Sequence, residues 1–351
     1  MLEEEKQPVH EQRVNQSLPP PTQVIHHHRE RTAIWALIGV VAGFMLPVIG
    51  CGMLTLVTLI GISLVSNGSG SAGTSSGGFG DAVAIVRVEG IISASDNTDT
   101  GSGALSGVVI NDLETAASDP SVKAIVLRVD SPGGGVTGAA QIYEAILEID
   151  KPIVVSMAGT AASGGYYISA PADYIFARPD TLTGSIGVIS TFINAEALLD
   201  DLGVEATVIA TGDNKDFGSY FHELTPEQEE IWRSITNELF DEFVRVVADG
   251  RNLSETTVRE LADGRVYSGR QALQNGLIDE LGDLADAIQK AAELGGISGD
   301  PRIIEYDHVP SFQDLLLGFS TTFNRSQADE INQLIQELTT PSIEYRYIGP
   351  Q

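Results

Sequence analysis

Sulfur and positive charge are what this sequence has least of. Cys51 is the only cysteine in 351 residues, so no disulfide can close within the chain and no Cys-rich metal site can assemble. Lysine and arginine together number 20 against 48 aspartates and glutamates, a formal net charge of -28. Nucleic acid is excluded as a partner, because phosphate binding needs a basic face that such a chain cannot build. The acidity itself reads as a solvated surface with no bearing on mechanism. Only five lysines occur, Lys6, Lys123, Lys151, Lys215 and Lys290, and past residue 80 the only histidines are His222 and His308. Any base for nucleophilic chemistry must come from this short list.

What is present falls into segments. Residues 1–31 are polar, with Pro19-Pro20-Pro21 and His26-His27-His28, and read as a flexible tail. The triple histidine has no carboxylate or cysteine at ligand spacing, so no metal is assigned to it. Ala33 to Val65 then runs without Asp, Glu, Lys, Arg or His, longer than the roughly 20 residues that cross a bilayer. Residues 32–65 are therefore expected to form one transmembrane helix, tilted or kinked at Pro47. Arg29 and Arg31 precede it and the next basic residue is Arg87, which places the tail in the cytoplasm and the rest outside. Val48-Ile49-Gly50-Cys51 loosely resembles a lipidation box, but more apolar residues follow Cys51. Ser66 to Gly80 is a Gly/Ser linker, residues 81–295 are expected to form the main domain, and 296–351 an extension carrying no catalytic pattern.

In the main domain, Ala82 to Val88, Lys123 to Val129, Pro152 to Met157, Tyr174 to Ala177, Ser185 to Ser190 and Ala206 to Ala210 read as strands. Helices are expected at Ile110 to Ala117, Ala139 to Glu148, from the Ser163 loop to near Ala172, and at Ala195 to Leu202. The alternation predicts an α/β domain with largely parallel pairing. A helical second half follows, with helices at Pro226 to Asp249, Glu255 to Ala262, Gly269 to Asn275 and Leu284 to Leu294. A strand near Ile303 to Tyr306 and a helix from Ala328 to Leu338 come last.

Gly159-Thr160-Ala161-Ala162-Ser163-Gly164-Gly165-Tyr166-Tyr167 is the stretch that suggests chemistry. A serine among such small residues can carry open backbone amides beside its hydroxyl and leave room for another chain, as an acyl-transfer nucleophile requires. The plainer reading is a helix cap. Gly133, Gly135 and Gly138 match G-x-G-x-x-G, but no acidic residue ends the next strand, so a dinucleotide site lacks its confirming context. For the base, neither histidine lies in a small-residue loop, leaving a Ser-His pairing with His222 unsupported. Lys123 and Lys151 sit at strand starts and Lys290 on an exposed helix face. Lys215, in Thr211-Gly212-Asp213-Asn214-Lys215-Asp216-Phe217-Gly218-Ser219, follows an expected strand in a loop. A lysine acts as a base near neutral pH only when burial disfavours its charged form.

Four motifs in order, Asp130-Ser131-Pro132-Gly133-Gly134-Gly135, Ala162-Ser163-Gly164-Gly165-Tyr166-Tyr167, Thr183-Gly184-Ser185-Ile186-Gly187-Val188 and Gly212-Asp213-Asn214-Lys215-Asp216, resemble the signal peptide peptidase A family in its short, membrane-anchored form. Val266-Tyr267-Ser268-Gly269 with Ala272, then Gly276-Leu277-Ile278-Asp279, is similar to that family's downstream block. The resemblance covers about Asp81 to Leu294. It implies a Clp/crotonase-like fold of repeated ββα units and a serine endopeptidase with a Ser-Lys dyad. Ser163 would be the nucleophile, Lys215 the general base and Ser185 the hydroxyl that orients that lysine. Gly164 and Gly134 would give the oxyanion N–H groups. The family's dyad is shared between neighbouring subunits of a ring, so a homo-oligomer is implied, with signal-peptide remnants and other apolar segments at the outer membrane face as substrates. No metal or nucleotide cofactor is implied. The runner-up is a non-catalytic scaffold or acyl-binding relative of the same fold.

Overall fold

The computed structural model describes residues 73–75, 80–95, 103–306 and 343–348. In chain order these form β1 (Gly73–Ser75), β2 (Ala82–Glu89), β3 (Ile92–Ser93), β4 (Ala104–Leu105), α1 (Ser106–Ser118), β5 (Val122–Ser131) and β6 (Gly133–Gly135). Next come α2 (Val136–Leu147), β7 (Ile153–Ala162), α3 (Gly164–Ser169), β8 (Tyr174–Ala177), β9 (Leu182–Gly184), β10 (Ile189–Ser190) and α4 (Glu196–Asp201). The rest are α5 (Pro226–Arg251), α6 (Glu255–Leu261), β11 (Val266–Ser268), α7 (Gly269–Gln274), β12 (Glu280–Leu281), α8 (Leu284–Leu294), β13 (Arg302–Tyr306) and β14 (Ile343–Arg346).

The larger sheet runs β1-β13-β2-β5-β7-β8-β12, and its centre, from β13 to β12, is parallel. Both faces are covered, which is why β2 and β5 read as near-continuous apolar runs. Along β2, Ala82, Ala84, Val86 and Val88 enter one core while Val83 and Ile85 enter the other, as the period of two demands. Ala287, Ala291 and Ala292 of α8 complete the second core. The first takes in Val109 and Leu113 of α1, Ile142 of α2, and Phe243, Val246 and Val247 of α5.

The site arises where β7 changes partner. Val154 to Met157 pair with β8, whereas Thr160 to Ala162 pair with β9, and β5 shifts register against β7 between Val129 and Ser131. The strand therefore outruns the expected Pro152–Met157 and stops one residue before Ser163. The smaller sheet, β10-β14-β6-β3-β4, stands over this end.

Two expected strands are corrected. Only Ile189–Ser190 of Ser185 to Ser190 is extended pairing, because Ser185 takes a φ of 49°. Ala206 to Ala210 forms no strand: its side chains are exposed and no partner strand among the described residues lies beside it, and β-branched residues make a strand only against a neighbour. Past residue 300, β13 pairs with β2 and β14 with β6. Within the stretch read as a linker, β1 pairs with β13. The helix expected at 328–338 and the histidines 26–28 and 308 lie outside the described residues.

The expected placement as a single-pass membrane protein is also corrected. Among the described residues no helix is long and apolar enough to cross a membrane. Helix α5, at 26 residues, has the length but carries Glu227, Glu229, Glu230, Arg233 and further charges along it. The run Ala33 to Val65 lies outside the described residues.

Candidate active site

Ser163 joins β7 to α3 at a backbone φ of 54° and ψ of -116°, a combination an L-residue holds only where its surroundings impose it. They do: the Ser163 N–H donates to the Gly184 carbonyl at 2.7 Å and its own carbonyl accepts from the Tyr167 N–H at 2.8 Å. The serine is 1% exposed and borders a cavity described below. Although Ser163 occupies the cap position of α3, its side chain caps nothing. The cap reading of this residue is thereby removed.

Glycines close the space around it. Gly133, at φ 92°, lies so near that a Cβ there would come within 2.5 Å of the Gly164 nitrogen. A Cβ on Gly164 would stand 3.3 Å from the Gly134 nitrogen. The expected oxyanion pair, Gly134 and Gly164, is thus brought to one place. The Gly133 N–H is engaged by Ser131 Oγ at 3.1 Å, and Ser131 in turn donates to the Gly90 carbonyl at 2.6 Å. That engagement leaves the Gly133 N–H already taken.

Ser185 joins Ser163 in lining a cavity of about 270 Å³ with Gly187, Val188, Ile189, Gly264, Arg346, Tyr347 and Ile348. Its N–H donates to the Arg265 carbonyl at 2.8 Å. The Val266–Gly269 block holds it there, since β11 pairs antiparallel with β9. The Gly276–Asp279 block braces α3: buried Tyr166 donates from its hydroxyl to the Leu277 carbonyl at 2.8 Å. Asp279 accepts from the Ile175 N–H and pairs with Arg251 at 2.7 Å.

Lys215 is exposed and lines no part of the Ser163 cavity. Its loop is anchored from three sides. The Lys215 N–H donates to the Gly212 carbonyl, Gln228 Nε2 to the Asp213 carbonyl at 3.2 Å, and His222 Nε2 meets Asp216 at 2.7 Å. Hydrogen bonds to the Glu223 carbonyl and to Asp216 raise the His222 pKa above its ordinary value. His222 borders a separate cavity, with Asp213, Asp216 and Gln228, so nothing places it beside Ser163.

Tyr345 and its neighbours were missed by sequence reasoning. The signal was there, an alternation of apolar and charged residues through Ile343-Glu344-Tyr345-Arg346-Tyr347, which is the period of a half-buried strand.

Comparison with known proteins agrees with this geometry. A model of peptidase family S49 matches residues 145–298, and one of Clp protease matches residues 82–186. A protein of Enterococcus faecium described as a signal peptide peptidase is 42% identical over 203 residues, 56% of this chain and 58% of its own length. A protein of Synechocystis sp. described as a protease is 41% identical over 203 residues, 57% of this chain and 72% of its own. Protease 4 of Haemophilus influenzae is 35% identical over 263 residues, 74% of this chain and 42% of its own. The chain thus spans less than two thirds of the first and third relatives. The α/β core, the strained serine between glycine amides and these matches lead to one conclusion: the chain belongs to peptidase family S49, a serine peptidase family.

Proposed function

We propose that the protein is a serine endopeptidase in which Ser163 is the nucleophile and Lys215 the general base, acting on signal-peptide remnants and other apolar segments. The observation that carries the reading is the Ser163 turn, with Gly164 and Gly134 beside it and Ser185 in the same cavity. In this scheme neutral Lys215 takes the Ser163 proton as Oγ attacks a peptide carbonyl. The two glycine amides bind the oxyanion, the proton passes to the departing amine, and water releases the acyl-enzyme. Ser185 orients the lysine.

Because Lys215 on one protomer is exposed and lies off the Ser163 cavity, the base that meets Ser163 is supplied by a second copy in a ring. Contact with that copy and with an apolar substrate also gives the desolvation that a neutral lysine needs. Labelling by a serine-directed fluorophosphonate tests the nucleophile: it is expected in the parent protein and absent in Ser163→Ala. Label retained by Ser163→Ala sinks the assignment. Mixing inactive Ser163→Ala with inactive Lys215→Ala protein is expected to restore part of the peptidase activity. A mixture as inactive as its components overturns the shared dyad.

A further inference from the structure

Gly134 sits in a run of chain that has little of its own to hold it. Gly133, Gly134 and Gly135 bear no side chains, and Gly133 takes a φ of 92°. The peptide joining Gly133 to Gly134 can turn at small cost unless something outside the run fixes it. Ser131 supplies that hold. It ends β5 opposite Ala161 of β7, two residues before Ser163, and it is 0% exposed.

Its one hydroxyl serves both flanks of Gly134. Along the chain, Oγ accepts from the Gly133 N–H at 3.1 Å. Pro132 lies between the two, its ring fixing φ and its nitrogen bringing no competing donor. Across the sheet, the same Oγ donates to the Gly90 carbonyl at 2.6 Å. Gly90 begins the turn that carries Ile92, and Ile92 is paired with Gly134 in the smaller sheet. The two backbones are pressed together there, since a Cβ on Gly134 would overlap the Ile92 carbonyl. The Gly90 N–H returns to the Asp130 carbonyl at 2.9 Å, so residues 130 and 131 hold the Gly90 turn through both of its polar groups. Ser131 also backs the first turn of α3, where a Cβ on Gly165 would come within 2.8 Å of the Ser131 carbonyl. Thr183 and Ser169 are buried hydroxyls too, but Thr183 donates to the Ala161 carbonyl and Ser169 to the Gly165 carbonyl, and neither bond reaches the glycine run.

We propose that Ser131 is a positioning residue for acyl transfer: its hydroxyl fixes the Gly133–Gly134 peptide so that the Gly134 N–H meets the oxygen of the tetrahedral intermediate. The inference rests on the reading of Ser163 as nucleophile and of Gly134 as an oxyanion donor. Fully buried, Ser131 touches no substrate and moves no proton. Its effect is felt as charge develops on the attacked carbonyl, because a donor left free to turn stabilises that charge less than one already aimed at it. Binding of the uncleaved peptide makes no such demand.

The test measures cleavage of a trileucine aminomethylcoumarin amide by the full-length chain and by Ser131→Ala, Ser131→Cys, Ser131→Thr and Ser163→Ala. Ser131→Ala is expected to lower kcat about tenfold to a hundredfold with KM within about twofold of the parent. That is less than the roughly hundredfold to thousandfold loss when an oxyanion donor is removed altogether. Ser131→Cys keeps the volume but forms weaker hydrogen bonds, and is expected to fall with Ser131→Ala. Ser131→Thr keeps the hydroxyl and is expected to recover most of the activity. Trileucine aldehyde, whose adduct with Ser163 presents an oxyanion, is expected to bind Ser131→Ala more weakly by the same factor as kcat, while the matching alcohol binds as it does to the parent. The ratio of the two affinities is read within one protein, so a partly unfolded variant still reports it. An unchanged ratio in Ser131→Ala, or a kcat within about threefold of the parent, overturns the inference and leaves Ser131 a residue of the fold alone. Cleavage that survives Ser163→Ala overturns the nucleophile itself, and the role given to Ser131 falls with it.

Discussion

At the scale of single residues the site is a matter of room. Gly133 has a φ of 92°, and a side chain there would collide with the Tyr345 carbonyl. Gly133→Ala is expected to cost at least about 2 kcal/mol, from the left-handed backbone and the collision together. A Cβ on Gly212, in the Lys215 loop, would meet nothing within 4 Å, and Gly212→Ala is expected to stay within about 0.5 kcal/mol of the parent. Urea midpoints of the two variants check both. Tyr166→Phe removes the donor to the Leu277 carbonyl and is expected to cost about 1–3 kcal/mol in the same assay, because a buried acceptor is left unpaired. The sequence pointed to Ser163 and to the glycines, since small residues around a serine have a chemical reason. It did not distinguish a nucleophile from a cap, because both sit between a strand and a helix. The φ of 54° and the missing cap hydrogen bond set the cap aside.

At the scale of elements, the long helix touches both the Lys215 loop and the helix that follows Ser163. Thr225 caps α5 with its side chain accepting from the Gln228 N–H, and Gln228 answers by accepting from the Thr225 N–H. The same Gln228 reaches the Lys215 loop, while Phe243, further along α5, packs on Tyr167 at 5.1 Å. Thr225→Ala is expected to lose about 1 kcal/mol and to raise hydrogen exchange at residues 211–217. The His222–Asp216 pair adds a pH dependence. Its raised folded pKa means the stabilisation is complete below the ordinary histidine value of about 6.5 and disappears as pH rises through the folded value. The Tm difference between parent and His222→Gln is therefore expected to be larger near pH 5.5 than above about pH 8. Equal differences at both would remove the pair from the loop's stability. Helix α5 was legible from Thr225-Pro226 and its acidic first turn, and β2 and β5 from their apolar runs. Residues 206–210 misled, because strand propensity in Thr207, Val208 and Ile209 speaks of side chains and says nothing of whether a neighbouring strand exists.

At the scale of the whole molecule, exposed apolar side chains recur in the stretch of chain just before the Lys215 loop. Ile209 is 94% exposed, Leu202 67% and Leu198 61%, and side chains of this kind in one region mark an interaction surface. On the ring proposed above, Ile209→Glu is expected to lower the sedimentation coefficient and the activity in parallel. A smaller particle that keeps full activity would separate assembly from catalysis. Pairings between distant parts of the chain were the least legible feature. Ile343 to Arg346 alternates as a strand should, yet its partner at Gly133–Gly135 reads as a turn, and the strand expected at Ser185 to Ser190 carries no sign of which neighbour it pairs with. No local pattern announces a neighbour that far along the chain.

The slot that holds β14 has a gauge. Strands in a sheet lie about 4.8 Å apart, so β6 and β10, each paired to the one strand between them, are separated by roughly 9.6 Å. A single extended backbone fills that width, whereas an α-helix with its side chains is about 10–12 Å across before any contact is made. On the function proposed above, an apolar segment drawn into such a slot beside Ser163 would have to unwind from any helix over several residues. Cleavage would then be fastest where a helix is weakest, near glycine, proline or a frayed end. A peptide locked as a helix by a hydrocarbon staple is expected to resist cleavage that its unstapled twin undergoes.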